Sequence, residues 1–349
     1  MEADLGERAL REGTPLLDGG QATFVWYGDH APRLIGDFNG WREDTALDLP
    51  PVAQGIWART LPLPRDAYIE YAYSQDGWHL ADPFNPRSVS NGLGARNHYF
   101  YMPDAVPTPW IARERGRPHG SLTRHVVHAD HLVVGGERAV YLYRPPVSDP
   151  SPLLVVLDGQ DYLRRARLPR MVDNLIAAGR IRPLALAMVA NGGQARYVEY
   201  ACNDSTVSFL RSRVVPLARA QLNLVDLDAQ PGAYGLLGAS MGGLCALYTA
   251  LRAPSMFGRA ISQSGAFALG ALGSDPVVFD LVRHLPNAPV KIWMDVGSYE
   301  QLLPANQRMQ ALLRQHGYDV TYREYHGGHN YSVWRDDVWR GLEALYGTR

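Results

Sequence analysis

A six-residue run, Gly238-Ala239-Ser240-Met241-Gly242-Gly243, constrains the fold of this chain more than any other feature. It fits the pattern G-x-S-x-G and stands between an apolar strand pattern at residues 234–238 and a helical pattern that starts near Gly243. Such a tight turn holds the serine in a strained backbone conformation and projects its hydroxyl above a sheet edge, while the glycines let neighbouring segments approach. The run therefore predicts a sheet with helices and a nucleophile, Ser240.

A base for this hydroxyl must come from a histidine further along the chain. Serine is a weak nucleophile that normally needs an imidazole held by a carboxylate, and in this kind of fold the chain order is serine, acid, histidine. His329 follows two glycines in a loop after the predicted strand at residues 320–325, and the glycines allow a sharp presentation of its ring. His326 lies in the same loop and is the alternative. We expect His329 to be the base.

The acid should come from the end of the preceding predicted strand, at residues 290–296. Asp295 lies within that strand, where a carboxylate can serve the structure alone. Glu300 lies on the loop beyond the strand, from which it can reach across to the histidine. The sequence therefore predicts Glu300 as the acid beside Ser240 and His329, with Asp295 as the alternative.

Two backbone amides are expected to stabilise the oxyanion that forms when a serine attacks an ester. Met241 should supply one, because the residue after the nucleophile opens a helix whose N-terminal amides and dipole favour negative charge. Gln160 should supply the other, since it lies in the turn after a continuous apolar run at residues 153–157. Only the amide is needed there, so the side chains of this turn carry little information.

Hydrophobic patterning changes along the chain and predicts two domains. Residues 21–103 show short alternating runs rich in aromatic and β-branched side chains, separated by turn residues, which is typical of a small antiparallel β-sandwich. Residues 121–349 alternate strand and helix patterns, which predicts the α/β class, with a mostly parallel sheet and helices on both faces. Residues 1–20 are predicted as an N-terminal extension, and the proline-rich residues 104–120 as a linker.

Composition and charge exclude several classes of partner. The 349 residues carry 34 basic and 35 acidic side chains, a net charge of −1, which provides no field for holding nucleic acid or an anionic membrane surface. The longest apolar runs fall far short of the roughly 18 residues that cross a bilayer. Two cysteines, Cys202 and Cys245, predict free thiols in a reducing compartment. His125, His128 and His131 alternate between the faces of a strand, so we expect no metal site.

The segment around the serine resembles a known family. Residues 238–248, with 257–258 and 262–265, resemble the esterase D branch of the α/β hydrolases, and within it the enterochelin (ferric siderophore) esterases. Further matches at 157–160, 196–200, 297–300 and 327–335 extend the resemblance over about residues 122–346.

The resemblance implies an α/β-hydrolase fold and the same triad of Ser240, Glu300 and His329. It also places Arg196 near the pocket, where its guanidinium is expected either to contact an anionic substrate or to form a surface salt bridge. Members of the family often carry Asp after the histidine, whereas Asn330 stands here. That departure affects the loop and leaves the imidazole in place.

A second resemblance lies near the N-terminus. The run Gly36-Asp37-Phe38-Asn39-Gly40-Trp41 is similar to the start of the early-set, immunoglobulin-like β-sandwich of glycogen-branching enzymes, some carbohydrate esterases and siderophore esterases. Trp41, Trp57 and Trp78 are expected to build the sandwich core and a wall over the active site, with stacking on sugars as the alternative.

These features imply a serine esterase that needs no cofactor and hydrolyses a small-molecule carboxylic ester through an acyl-enzyme. A siderophore trilactone is the expected substrate. The alternatives are a carbohydrate esterase of feruloyl or acetyl type and, in a different class, a non-catalytic carbohydrate-binding protein, against which an intact triad speaks. The N-terminal residues show no apolar signal, so a cytoplasmic location is expected. The sequence carries no sign of the oligomeric state.

Overall fold

The computed structural model describes residues 2–92, 94–114, 116–270 and 274–348. Arg115, within the predicted linker, lies outside the described residues. The chain divides into two compact units. The first unit comprises residues 1–107, 297–301 and 324–333, and the second comprises residues 108–296, 302–323 and 334–349. Two short segments from the C-terminal part of the chain thus belong with the N-terminal region.

The first unit is built from two antiparallel sheets. Its elements are α1 (Glu2–Glu12), β1 (Leu16–Asp18), β2 (Gln21–Tyr27), β3 (Arg33–Gly36), β4 (Pro51–Ala53), β5 (Ile56–Pro62), β6 (Tyr68–Gln75), β7 (Trp78–Leu80), β8 (Ser88–Ser90) and β9 (Arg96–Tyr101). One sheet has the order β1-β2-β5-β4, and the other has the order β3-β6-β9-β8 with β7 on β6. The predicted antiparallel strands of this region are confirmed.

Aromatic side chains fill the space between these two sheets. Phe24 of β2 packs edge-to-face on Tyr71 of β6, with ring centroids 4.9 Å apart, and on Phe100 of β9 at 5.8 Å. All three side chains are buried and belong to one apolar cluster. Aromatic pairs of this geometry add to the free energy of burial, so alternating aromatic residues in the sequence specify the sandwich core.

The second unit is built on an eight-stranded sheet in the order β10-β11-β13-β12-β14-β15-β16-β17. Its strands are β10 (Ser121–His128), β11 (Glu137–Arg144), β12 (Leu153–Val156), β13 (Ala185–Val189), β14 (Tyr234–Ala239), β15 (Phe257–Gln263), β16 (Lys291–Gly297) and β17 (Asp319–Tyr325). The strands β13, β12, β14, β15 and β16 run parallel to one another. Strand β11 runs antiparallel to both of its neighbours, β10 and β13. The parallel strands β12, β13 and β14 are buried along their whole length, which explains their continuous apolar sequences.

Helices alternate with these strands. They are α2 (Gly159–Arg164), α3 (Leu168–Ala177), α4 (Arg196–Glu199), α5 (Asp204–Phe209), α6 (Val215–Gln221), α7 (Met241–Arg252), α8 (Val278–His284), α9 (Leu303–Gln315) and α10 (Tyr331–Tyr346). A π-helical stretch, Leu210–Val214, lies between α5 and α6. Within the described ranges, no helix is both long and apolar enough to cross a membrane. Both cysteines are free thiols, as expected.

The parallel strands bring the sequence-predicted residues of the second unit to one edge of the sheet. The turn with Asp158 and Gln160 follows β12, and Ser240 follows β14, the neighbour of β12. The carboxyl ends of parallel strands lie at the same edge, which is where α/β proteins place their sites.

Candidate active site

Ser240 occupies the tight turn between β14 and α7. Its backbone angles are φ 59° and ψ −123°, a region that a residue with a side chain rarely adopts. The turn is fixed from both sides, because the Ser240 amide donates to Gln263 O at 2.9 Å and its carbonyl accepts from Leu244 N at 3.1 Å and Ala266 N at 3.0 Å. A Cβ at Gly238 would stand 2.3 Å from Gly242 O, so only glycine fits there. The strained turn predicted from the sequence is present.

The two predicted oxyanion donors both lie at helix starts. Met241 is the first residue of α7, and Gln160 is the second residue of α2. The first amides of a helix have no acceptor within that helix, and the helix dipole adds partial positive charge there. The turn before Gln160 is itself unusual, because Asp158 has a positive φ of 52°.

A partly buried ion pair fixes the turn that carries Gln160. Arg196 Nε and Nη2 donate to the two carboxylate oxygens of Asp158, each at 2.7 Å. Nη2 also donates to Ala239 O, the residue before the serine, at 3.2 Å. Asn191 Nδ2 donates to Asp158 Oδ1 at 2.8 Å. The Asp158 side chain is 1% exposed and that of Arg196 is 20% exposed. Arg196 therefore connects the end of β14 with the turn after β12.

This role for Asp158 was not predicted from the sequence. The sequence predicts an oxyanion turn at this place, but it assigns no role to the Asp158 side chain. The available signal was an acidic residue directly after a fully apolar strand, a place where a buried carboxylate needs a cationic partner. Arg196 is that partner, and the two residues are 38 positions apart.

In the first unit, His329 and Glu300 form a short hydrogen bond. Nδ1 of His329 lies 2.6 Å from Glu300 Oε2. The Glu300 side chain is fully buried, and its other oxygen accepts from Gly297 N at 2.8 Å and from the Tyr325 hydroxyl at 3.2 Å. These donors hold the carboxylate in one orientation. A carboxylate fixed on Nδ1 selects the imidazole tautomer that leaves Nε2 to accept a proton.

The alternative acid and base have other partners. Asp295 is buried, and its carboxylate accepts from Trp293 Nε1 at 2.7 Å and from Gln263 Nε2 at 3.2 Å. His326 is exposed, with Nδ1 2.7 Å from Asp66 Oδ1. Of the two acids considered, Glu300 is the one that the structure brings to His329.

The loop that carries His329 rests on the edge of the β-sandwich. Tyr68 N, at the start of β6, donates to His326 O at 3.0 Å. The Ser332 hydroxyl lies 3.4 Å from Glu70 Oε1. Gly328, adjacent to the histidine, packs directly against the Asp37 carboxyl group. The motif around Asp37 was identified from the sequence, but its contact with this loop was not, because the two are nearly 300 positions apart.

Asp37 is a buried acid with two fixed donors. Its Oδ1 accepts from Trp41 Nε1 at 2.9 Å and its Oδ2 accepts from Glu70 N at 2.8 Å. Burial, together with the negative charge of Glu70 and to a smaller extent of Glu300, raises the pKa of Asp37 to about 8. This raised pKa favours the protonated form of Asp37 beside the loop of His329.

The fold and these local geometries agree with the family comparison. Residues 133–345, more than half of the chain, match the model of the Esterase family ("Putative esterase"). The chain belongs to this family and is a carboxylic ester hydrolase.

Individual relatives extend the similarity to the N-terminal region. The chain is 26% identical to the iron(III) enterobactin esterase of Dickeya dadantii, over 97% of this chain and 92% of that protein. It is 27% identical to the iron(III) salmochelin esterase of Escherichia coli O6:H1, over 86% of this chain and 73% of that protein. Its fold is similar to that of the ferric enterobactin esterase of Salmonella typhimurium, with a TM-score of 0.78, 22% identity and 93% of each chain covered. The resemblance to siderophore esterases is thereby confirmed.

Proposed function

We propose that this protein is a serine esterase that hydrolyses the ester bonds of a catecholate trilactone siderophore of the enterobactin type. The observation that carries the proposal is the extent of the similarity to an iron(III) enterobactin esterase, which covers 97% of this chain and so includes the β-sandwich. A bare hydrolase domain would match only the region after residue 120.

In the proposed mechanism, Ser240 attacks the ester carbonyl and forms an acyl-enzyme. The strained turn supports this role, because it presents the hydroxyl at a helix start where negative charge is stabilised. The backbone amides of Met241 and Gln160 stabilise the oxyanion of the tetrahedral intermediate. Removal of one such donor typically costs about 10²–10³-fold in kcat, so the two amides are central to the rate.

His329 is proposed as the base that takes the proton from Ser240. It later gives this proton to the leaving alcohol, and then activates the water that hydrolyses the acyl-enzyme. Glu300 orients the ring through Nδ1 and stabilises the imidazolium while it exists. The 2.6 Å bond and the full burial of the Glu300 side chain support this role, because the charge of a buried carboxylate is screened little by water.

Arg196 is proposed to act on the oxyanion turn as well. Its two bonds to Asp158 and its bond to Ala239 O fix the segments from which Gln160 and Met241 donate. Direct contact of Arg196 with an anionic substrate stays a prediction.

The domain boundaries and the cellular location belong to the same proposal. We propose residues 21–103 as a sandwich domain and residues 121–349 as an α/β-hydrolase domain with helices on both faces of its sheet. A cytoplasmic location is consistent with release of iron from an imported chelate.

The proposal is tested by chromatography and mass spectrometry of ester products. Purified protein is incubated with a catecholate trilactone in its iron-free and ferric forms, and with a feruloyl sugar ester as the competing substrate class. We expect linear trimer, dimer and monomer from the trilactone and little product from the feruloyl ester. Faster turnover of the feruloyl ester would contradict the assigned substrate.

Two variants distinguish loss of the nucleophile from a general effect of serine substitution on the protein. Ser240→Ala should abolish hydrolysis and labelling by a fluorophosphonate, whereas Ser212→Ala, at an exposed serine of the second unit, should retain both. Full activity of Ser240→Ala would exclude the proposed nucleophile. Absence of labelling in the wild-type protein would favour the non-catalytic alternative.

A further inference from the structure

A basic pocket lies in the second unit, at the sheet edge opposite to the one where β14 leads into Ser240. Its cavity volume is about 820 Å³. Lys291, the first residue of β16, and Arg259, near the start of β15, mark this edge. Because β14, β15 and β16 are parallel, the amino ends of the strands lie away from the edge that carries the serine.

Cations dominate the lining of this pocket. The six basic residues are Arg180, Arg182, Arg259, Lys291, Arg323 and Arg340, and Glu343 is the acidic residue that lines it with them. Lys291 is also the only lysine in the sequence. A chain with a net charge of −1 therefore concentrates positive charge at one concave place.

Two acids neutralise part of this charge. Arg180 forms a bidentate pair with Glu343, with distances of 2.6 and 2.9 Å. Arg323 and Arg340 share the buried carboxylate of Asp337, at 3.0 and 2.9 Å. Three cations are thus held by two acids, and the pocket keeps an excess of positive charge.

The remaining three cations supply that excess. Arg259 donates to the carbonyl oxygens of Gly232, Ala233 and Leu345, so its guanidinium is fixed in position with its charge uncompensated by an acid. Within the described ranges, neither Arg182 nor Lys291 has an acidic partner at ion-pair distance, and both are exposed. Cations held together without counter-ions repel each other, so an anion that neutralises them is bound favourably.

The walls of the pocket add aromatic surface. Trp293 and Trp339 both line it, and the guanidinium of Arg340 lies 4.2 Å from the centroid of the Trp339 ring. The Trp339 indole is close enough to a pocket cation to report on a bound ligand by fluorescence.

We propose that this pocket binds a polyvalent phosphate anion, in a site separate from the ester-hydrolysing serine. Arginine guanidinium groups match the oxygen geometry of phosphate through paired hydrogen bonds, and several of them together favour an anion with three or more charges over a single carboxylate. The volume is within the range of pockets that hold a ligand of nucleotide size. The site does not depend on the proposed substrate, because none of its lining residues belongs to the proposed triad or oxyanion donors.

The test is a titration of the full-length protein with inorganic tripolyphosphate, followed by isothermal calorimetry and tryptophan fluorescence. We expect saturable binding of one equivalent, weakened by added salt. The double variant Arg182→Ala/Lys291→Ala should bind at least about 10-fold more weakly, since two unpaired cations are removed. Arg314→Ala, at an exposed arginine of α9 outside the pocket, serves as the matched control and should bind like the wild type.

These outcomes distinguish a specific phosphate-binding site from nonspecific electrostatic attraction of the anion to the protein. Binding that does not saturate, or that the double variant and Arg314→Ala change equally, would overturn the proposal. Thermal unfolding of each variant confirms that it is folded. A parallel titration with adenosine triphosphate distinguishes the source of the phosphate, because tighter binding than tripolyphosphate requires contacts with the base and sugar. Ester hydrolysis, measured in the same variants, is expected to be unchanged, so this test and that of the serine are independent.

Discussion

Gly328 and Asp37 are in direct contact, although they are far apart in the sequence. A Cβ at Gly328 would stand 2.1 Å from Asp37 Oδ1 and 2.2 Å from its carboxyl carbon. Asp37 cannot easily move away, since Trp41 Nε1 and Glu70 N hold its two oxygens. The residue before His329 therefore fits only as glycine. The loop that carries His329 packs closely against the antiparallel strands of the first unit.

We expect Gly328→Ala to reduce kcat/KM by about 10-fold or more, because it would displace His329, the proposed base, from the position that proton transfer needs. The added methyl group should also lower the free energy of unfolding by about 1–3 kcal/mol through overpacking. Steady-state kinetics on a p-nitrophenyl ester and urea unfolding measure the two effects. Gly20→Ala is the control, because a Cβ there meets its nearest atom at 3.4 Å. Equal behaviour of the two variants would mean that the Asp37 contact does not constrain the loop.

The raised pKa of Asp37 predicts a dependence of stability on pH. Its value is about 8 in the folded protein, against 3.8 for an ordinary aspartate, so the folded state keeps a proton that the unfolded state releases between these pH values. The free energy of unfolding should therefore fall as pH rises from about 4 to 8, by up to about 1.4 kcal/mol per pH unit from this group.

Asp37→Asn should remove this contribution, because an amide does not titrate in that range. Chemical unfolding of the variant and the wild type at pH 5, 6, 7 and 8 compares the slopes directly. Asp48→Asn, at an exposed aspartate of the same unit, should leave the slope unchanged. A wild-type slope that persists in Asp37→Asn would contradict the assignment of this titration to Asp37.

The two candidate acids predict opposite phenotypes. Glu300→Gln should lower kcat by about 10³–10⁴-fold, since the amide no longer stabilises the imidazolium. Asp295→Asn should keep most of kcat but lower the free energy of unfolding by about 1–3 kcal/mol, because its buried bonds with Trp293 and Gln263 are disrupted. Kinetics and urea unfolding on both variants decide the assignment. The reverse pattern would make Asp295 the acid.

The Arg196–Asp158 pair predicts a loss of both stability and activity. Arg196→Ala leaves a carboxylate that is 1% exposed without its cation, which should cost about 2–4 kcal/mol in the free energy of unfolding. Loosening of the turn that carries the proposed oxyanion donor Gln160 should also lower kcat more than it raises KM. The control is Arg252→Ala, which breaks an exposed pair with Asp204 and should cost at most about 1 kcal/mol. Similar losses in both variants would refute a special role for the buried pair.

Local patterns in the sequence predicted much of the second unit. Continuous apolar runs specified β12 and β14, and two glycines around Ser240 specified the strained turn between strand and helix. These elements can be predicted from the sequence because they depend on the backbone conformation and burial of only a few consecutive residues. The π-helical stretch at 210–214 ends two residues before Pro216, which has no backbone amide to continue the α-helical hydrogen bonds.

By itself, the sequence determined the residue types available for chemistry and the local conformation of each element. Only the tertiary structure decided that Glu300 rather than Asp295 meets His329, that Arg196 is bonded to Asp158, and that Asp37 supports Gly328. These contacts join residues from 29 to nearly 300 positions apart, and their distances depend on how sheets and loops pack. Burial then sets the energies of these contacts, because removal of water raises the pKa of a carboxyl group and makes it costly to leave a carboxylate without a partner.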